Sequence, residues 1–270
     1  MDGDFLLARL EKRKMVETDK QRIDRNVKEI FDNIVVIFQT TRFIPFHKFL
    51  IQFIASLVVT IVFTATNLDE SLLLKISIKD SVFYKVLLAS FYTLPQALIF
   101  YFLFRKNIRI FFRKITKKHF TLSLTIAFAS IVVAMFIAGL LVYGFSQTMT
   151  AHSEITTFSP SDIFTYIIQL LGEEILFFSA FFLSLKLFTK RKEPQYVLSV
   201  WISGLIACLV FGLAHLWTYD FNVIQCVIVI GLPSIIKIVL YLKTRNLWST
   251  YLAHLFYDLM AIVITFSGKL

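Results

Sequence analysis

Charge is scarce in this chain. Only 17% of its 270 residues are Asp, Glu, Lys or Arg, against about 25% in ordinary soluble domains. Glycine and proline number only 8 and 5, and no internal repeat or low-complexity segment is visible. Cysteine is nearly absent. Cys208 and Cys226 both fall inside apolar runs, where they give no sign of an oxidising compartment and read as buried structural thiols. A secretory signal peptide is not expected either, because the first apolar run begins late and follows a long charged stretch.

Apolar residues fill the space that charge leaves. They make up 57% of the chain, with 30 Phe and a mean hydropathy of +0.72. They are gathered into runs of roughly 18 to 25 residues, the length a helix needs to cross the hydrocarbon core. A single large soluble core would not impose that spacing. The expected fold is all-α, a polytopic transmembrane helix bundle of about seven spans, within a range of six to eight. The runs cover Phe49 to Ala65, Ser81 to Phe104, Phe120 to Phe145, Ile163 to Phe188, Tyr196 to Trp217, Val223 to Leu242 and Leu247 to Phe266. The sixth is interrupted by Gly231 and Pro233. Residues 1–48 form an N-terminal arm with charges of both signs. Leu6 to Lys14 and Val27 to Thr41 are amphipathic there, with Ile30, Ile34 and Ile37 on one face beside Phe31 and Val35. Such an arm is expected to be cytoplasmic and to lie partly on the membrane surface.

The net charge of +10 does not point to nucleic acid, because the basic residues sit in short loops between apolar runs. Arg105, Lys106, Arg109, Arg113, Lys114, Lys117 and Lys118 separate the second and third spans. Lys190, Arg191 and Lys192 follow the fourth, and Lys243 and Arg245 the sixth. Intervening loops such as Ala151 to Asp162 and Thr218 to Asn222 lack Lys and Arg. Basic and non-basic loops alternate in step with the spans, so the positive-inside rule predicts a multi-pass protein of the cell membrane with a cytoplasmic N-terminus and an outer C-terminus. Anionic lipid is the expected partner of the basic loops. Trp201 and Trp248 fall at the inner interface and Trp217 at the outer, as an aromatic belt requires.

Several residues do not belong in hydrocarbon unless they have a task. Glu173 and Glu174 stand near the middle of the fourth span, in Leu171-Gly-Glu-Glu-Ile-Leu-Phe-Phe178. Adjacent helical residues point about 100° apart, so one carboxyl can face a cavity while the other meets a neighbouring helix. Two close carboxyls in a low dielectric cannot both ionise cheaply, which suits general acid or base chemistry. A proton or ion relay, or a structural carboxyl, would use the same pair. Phe211 and His215 end the fifth span four residues apart, on one face. His254 and Asp258 are spaced identically in the seventh, where they could serve each other or a common ligand. Counting 1.5 Å per residue puts Glu173 about 15 Å below the outer edge and His254 about 10 Å above the inner one, a similar level in a core of about 30 Å. His215 is shallower, and reaches them only if the loop Thr218 to Asn222 is recessed.

These segments resemble the motifs of the CPBP family, the type II CAAX prenyl endopeptidases and their bacterial relatives linked to bacteriocin processing and immunity. The family pattern is Glu-Glu-x-x-x-Arg, then Phe-x-x-x-His, then His-x-x-x-Asn or Asp. The chain reads Glu173-Glu174-Ile-Leu-Phe-Phe178, Phe211-Gly-Leu-Ala-His215 and His254-Leu-Phe-Tyr-Asp258. The likeness covers about 160–265. It implies a core of catalytic helices at 161–270, preceded by membrane helices at 49–160. It also implies an intramembrane endopeptidase acting on a peptide or protein substrate in the membrane. Glu173 and His215 would activate water, His254 with Asp258 would stabilise the oxyanion, and Glu174 would support them. No cofactor is expected; were a divalent metal used, Glu173, His215 and His254 would hold it. Two departures stand out. Phe178 replaces the Arg that would hold Glu174, leaving Lys237 of the sixth span as the available cation. Asp258 occupies a position where Asn would donate to an oxyanion. The alternative is a catalytically impaired membrane partner on the same fold, an immunity protein or a regulator of a sensor kinase or transporter. A transporter is a third reading, suggested by the broken sixth span.

Overall fold

A computed structural model describes residues 2–65, 82–150, 162–190, 192 and 195–267, with side chains over 21, 23–64, 82–150, 162–190, 192 and 195–265. The amphipathic character expected for Leu6 to Lys14, the loop 151–161 and Arg191 lie outside the described side chains or residues. Among the described residues there is no strand. Eight helices carry the architecture: α1 (Asp2–Phe43), α2 (Phe46–Ala65), α3 (Val82–Phe104, continued by a 3₁₀ turn and a short helix to Phe111), α4 (Lys117–Gly139, continued by a π turn to Gly144), α5 (Asp162–Leu187), α6 (Tyr196–Ala214), α7 (Gln225–Thr244) and α8 (Leu247–Ser267).

Seven of these, α2 to α8, are long and apolar enough to cross a membrane, which makes this a multi-pass membrane protein. Their bounds follow the apolar runs with two informative differences. α3 continues past Phe104 as helix to Phe111, so Arg105 and Arg109 extend its basic end. α6 stops at Ala214, three residues before the hydropathy of Leu216 and Trp217 would end it.

α5 is the central element. Its membrane segment is the most buried of the seven, and it packs against α2, α3, α6 and α8. The crossings at its level are tight. A Cβ added at Gly172 would sit 2.6 Å from the Tyr92 ring of α3, and Thr93 of α3 donates to the Ile168 carbonyl at 2.8 Å. Small residues also bring α6 and α7 together: a Cβ on Gly231 would lie 2.6 Å from the Cys208 carbonyl oxygen, the kind of close backbone approach that holds membrane helices. α7 itself is irregular, a π turn over Gln225–Gly231 and a 3₁₀ turn over Leu232–Ser234 preceding regular helix from Ile235. Gly231 and Pro233 lie at this change of pitch, as the broken sixth span predicts. Cys208 and Cys226 are buried free thiols.

The arm differs from its expected place on the membrane surface. Ile34, Ile37 and Phe38 of α1 are buried against protein. Phe38 stacks on Tyr196 with ring centroids 3.9 Å apart, and Asn33 donates to the Leu242 carbonyl at 2.8 Å. The apolar stripe of the arm covers the ends of α5, α6 and α7. Hydrophobic periodicity reports that a face is buried, not what covers it.

Candidate functional site

α5, α6 and α8 bring the three motifs to one cavity of about 300 Å³. Glu173 and Glu174 separate as consecutive helical residues must. Glu173 lines the cavity. Glu174 turns into the protein and is 2% exposed. His254 lies between them: its Nδ1 is 3.1 Å from Glu174 Oε1 and its Nε2 3.9 Å from Glu173 Oε2. His215 Nε2 approaches the same Glu173 oxygen at 3.8 Å.

His215 stands just past the last residue of α6, and its Nδ1 is 2.8 Å from the Phe211 carbonyl oxygen. A carbonyl only accepts, so Nδ1 carries the hydrogen and Nε2 presents a lone pair toward Glu173. The chain beyond it does not climb straight to the surface. It folds into a turn in which Phe221 N donates to the Leu216 carbonyl at 2.8 Å, and Thr218 and Tyr219 line the cavity. Asp220 and Phe221 have φ of 48° and 59°, a left-handed conformation uncommon for any side chain and costly for a bulky one. Side-chain amides clamp the turn. Gln225 Nε2 donates to the Thr150 carbonyl at 2.9 Å, Thr150 N donates to Gln225 Oε1 at 2.8 Å, and Asn222 Nδ2 donates to the Thr148 carbonyl at 3.0 Å. This is the recess that His215 needs to reach the level of Glu173.

The cation missing from the Glu-Glu motif comes from another helix. Lys237 Nζ of α7 donates to Glu174 Oε1 at 2.8 Å, and it lies 4.3 Å and 4.0 Å from the centroids of the Phe177 and Phe211 rings. Phe178, where the motif has Arg, is fully buried among aromatic rings, 5.0 Å from Tyr241 and 6.0 Å from Phe181 by centroid. Asp258 lines the cavity beyond His254. Motif reasoning gave no role to Tyr219 and Tyr257, which also line it. Their spacing was the available signal: Tyr219 follows His215 by four residues and Tyr257 follows His254 by three. Among the described residues no set of three His, Cys, Asp or Glu groups is arranged to hold a metal ion.

Carboxyl and imidazole groups gathered around an internal cavity of a helical membrane bundle are the kind of residues that mark a functional site. Residues 156–260 match the family model described as Type II CAAX prenyl endopeptidase Rce1-like. That stretch holds all three motifs and supports assigning this part of the chain to the CPBP family of CAAX-type intramembrane proteases. No curated protein and no solved structure matches the chain.

Proposed function

We propose that this protein is an intramembrane endopeptidase of the cell membrane, with its N-terminus cytoplasmic, that hydrolyses a membrane-associated peptide or protein with water activated by Glu173 and His215. The observation that carries the reading is the convergence of Glu173 with the Nε2 atoms of His215 and His254 at 3.8 Å and 3.9 Å in a cavity. A water oxygen fits between Glu173 and His215 with a normal hydrogen bond of about 2.8 Å to each. Glu173 removes its proton as the oxygen bonds to the peptide carbonyl carbon. The carbonyl oxygen becomes an oxyanion facing His254 Nε2. The C–N bond then breaks, and Glu173 passes its proton to the leaving amine.

The geometry supports His254 as the oxyanion donor. Its Nδ1 is held at Glu174 Oε1, the oxygen that Lys237 also pairs with, which leaves Nε2 facing the cavity beside Glu173. Asp258 orients this machinery from the cavity wall. Processing of a bacteriocin or other peptide precursor, with self-immunity as a consequence, is the biological setting that the family's bacterial members suggest.

The test uses purified protein in liposomes with a panel of membrane-bound peptides, and the native host by peptidomics. Glu173→Gln should lower cleavage by about 10²- to 10⁴-fold, the usual contribution of a general base, without changing folding. A host phenotype unchanged by both Glu173→Gln and His215→Ala would overturn catalysis and favour the non-catalytic membrane partner.

A further inference from the structure

The cavity is one-sided. Its lining goes no deeper toward the basic loops than Leu176, Lys237 and Ala253, and extends to the far ends of the spans. Thr60 and Thr64 belong to the last turns of α2, Gln169 to the second turn of α5, Ala214 ends α6, and Ile262 stands near the end of α8. Thr218 and Tyr219 of the recessed turn complete this side.

Toward the basic loops the bundle is closed. From Phe177 onward α5 presents Phe177, Phe178, Phe181 and Phe182. Phe177 packs on Phe178, the other three meet Tyr241 of α7, and Phe182 also meets Phe111 at the end of α3. None of these six rings is more than 2% exposed. On α5 the closed stretch from Phe177 to Ser184 is roughly 10 Å long at 1.5 Å per residue. Phe38 of α1 and Phe49 of α2 extend the same buried cluster. A polar peptide cannot cross such packing, because a close-packed core leaves no passage even for water.

The basic ends and the open side are therefore opposite. Arg105 to Lys118, Lys186, Lys190, Lys243 and Arg245 all mark the plugged end. Lys85, near the start of α3 on the open side, is paired with Asp162, and it does not reverse the asymmetry that orients membrane proteins.

We infer that the site takes its substrate from the extracytoplasmic side: the scissile segment is a polypeptide that has already crossed or been inserted into the membrane and reaches Glu173 from the outer leaflet. The nature of the reactant rests on the peptidase reading, but the sidedness does not. The chemistry upstream must then be export or membrane insertion of a peptide, and hydrolysis water comes from the same side. Phe178 acquires a purpose in this arrangement, since a neutral ring completes the plug where a guanidinium would need solvation.

Labelling of single-cysteine variants with a membrane-impermeant maleimide in intact cells tests this without any activity. The native thiols give little background, because Cys208 and Cys226 are buried. Gln169→Cys in the cavity wall and Asp220→Cys on the exposed turn should label in intact cells as fully as after permeabilisation. Lys106→Cys should label only after permeabilisation, and Ser184→Cys, at the level of the plug, in neither condition. Gln169→Cys and Asp220→Cys reacting only in permeabilised cells, or Lys106→Cys reacting in intact ones, would overturn the proposal. Inactivity of the wild-type enzyme with the expected labelling would overturn the peptidase reading and leave the sidedness standing.

Discussion

Lys237 and Phe178 exchange the chemistry that a single motif position usually holds. An Arg at position 178 would lie one helical turn from Glu174 on the same helix. Here the cation arrives from α7, held over two aromatic faces that add a cation–π attraction. Removing one partner of a buried ion pair costs about 3–5 kcal/mol, so Lys237→Met should lower thermal stability in detergent by that order, and Lys237→Met with Glu174→Gln should recover part of it. Phe178→Arg alone should destabilise, because a guanidinium would enter a site that is fully enclosed. Combined with Lys237→Met it should cost less than the sum of the two, with a coupling of roughly 0.5–3 kcal/mol. Strict additivity in the melting data would show that the two positions do not share Glu174. The division of labour within the Glu pair was legible from helical geometry alone, and so was Lys237, as the one cation deep in a neighbouring span. The place of Tyr219 and Tyr257 in the cavity wall was not, because a tyrosine in or near a membrane span reads equally well as an interface residue.

At the scale of elements, the crossing of α6 and α7 decides where the site can form. α6 must end early for His215 to turn toward Glu173, and the Gly212 and Gly231 backbones must meet for the turn to be pulled inward. Gly231→Ala should therefore cost about 1–3 kcal/mol by overpacking and reduce turnover beyond what the stability loss explains, measured as a fall in kcat at temperatures where the protein remains folded. The early end of α6 escaped hydropathy because Leu216 and Trp217 continue the apolar run; apolarity records the surroundings of a residue and not its backbone path. The partner of α1 escaped for a related reason. A stripe of Ile at helical spacing suits lipid and protein equally. Phe38→Ala should distinguish them, since loss of a packed aromatic costs about 3–5 kcal/mol, whereas a lipid-facing Phe would cost far less.

Among the described residues the bundle has a filled end and a hollow end. Run lengths made the spans legible, because a bilayer imposes one length on every helix that crosses it. The polarity of the bundle was not, although its material was in view. Thirty Phe announce a large aromatic content, but only packing gathers a part of it between α3, α5 and α7 on the side of the basic loops.

The docking of α1 also bears on the order in which this protein is completed. Asn33 binds the backbone of Leu242, 209 residues further along the chain. The arm leaves the ribosome well before α7, which supplies part of its binding surface. At about 5–20 residues per second, synthesis keeps them apart for roughly 10–40 s. During that interval Ile34, Ile37 and Phe38 form an uncovered apolar stripe beside the membrane, and the lipid surface is the nearest place for it to wait. Docking of α1 is therefore expected only after α7 has been made.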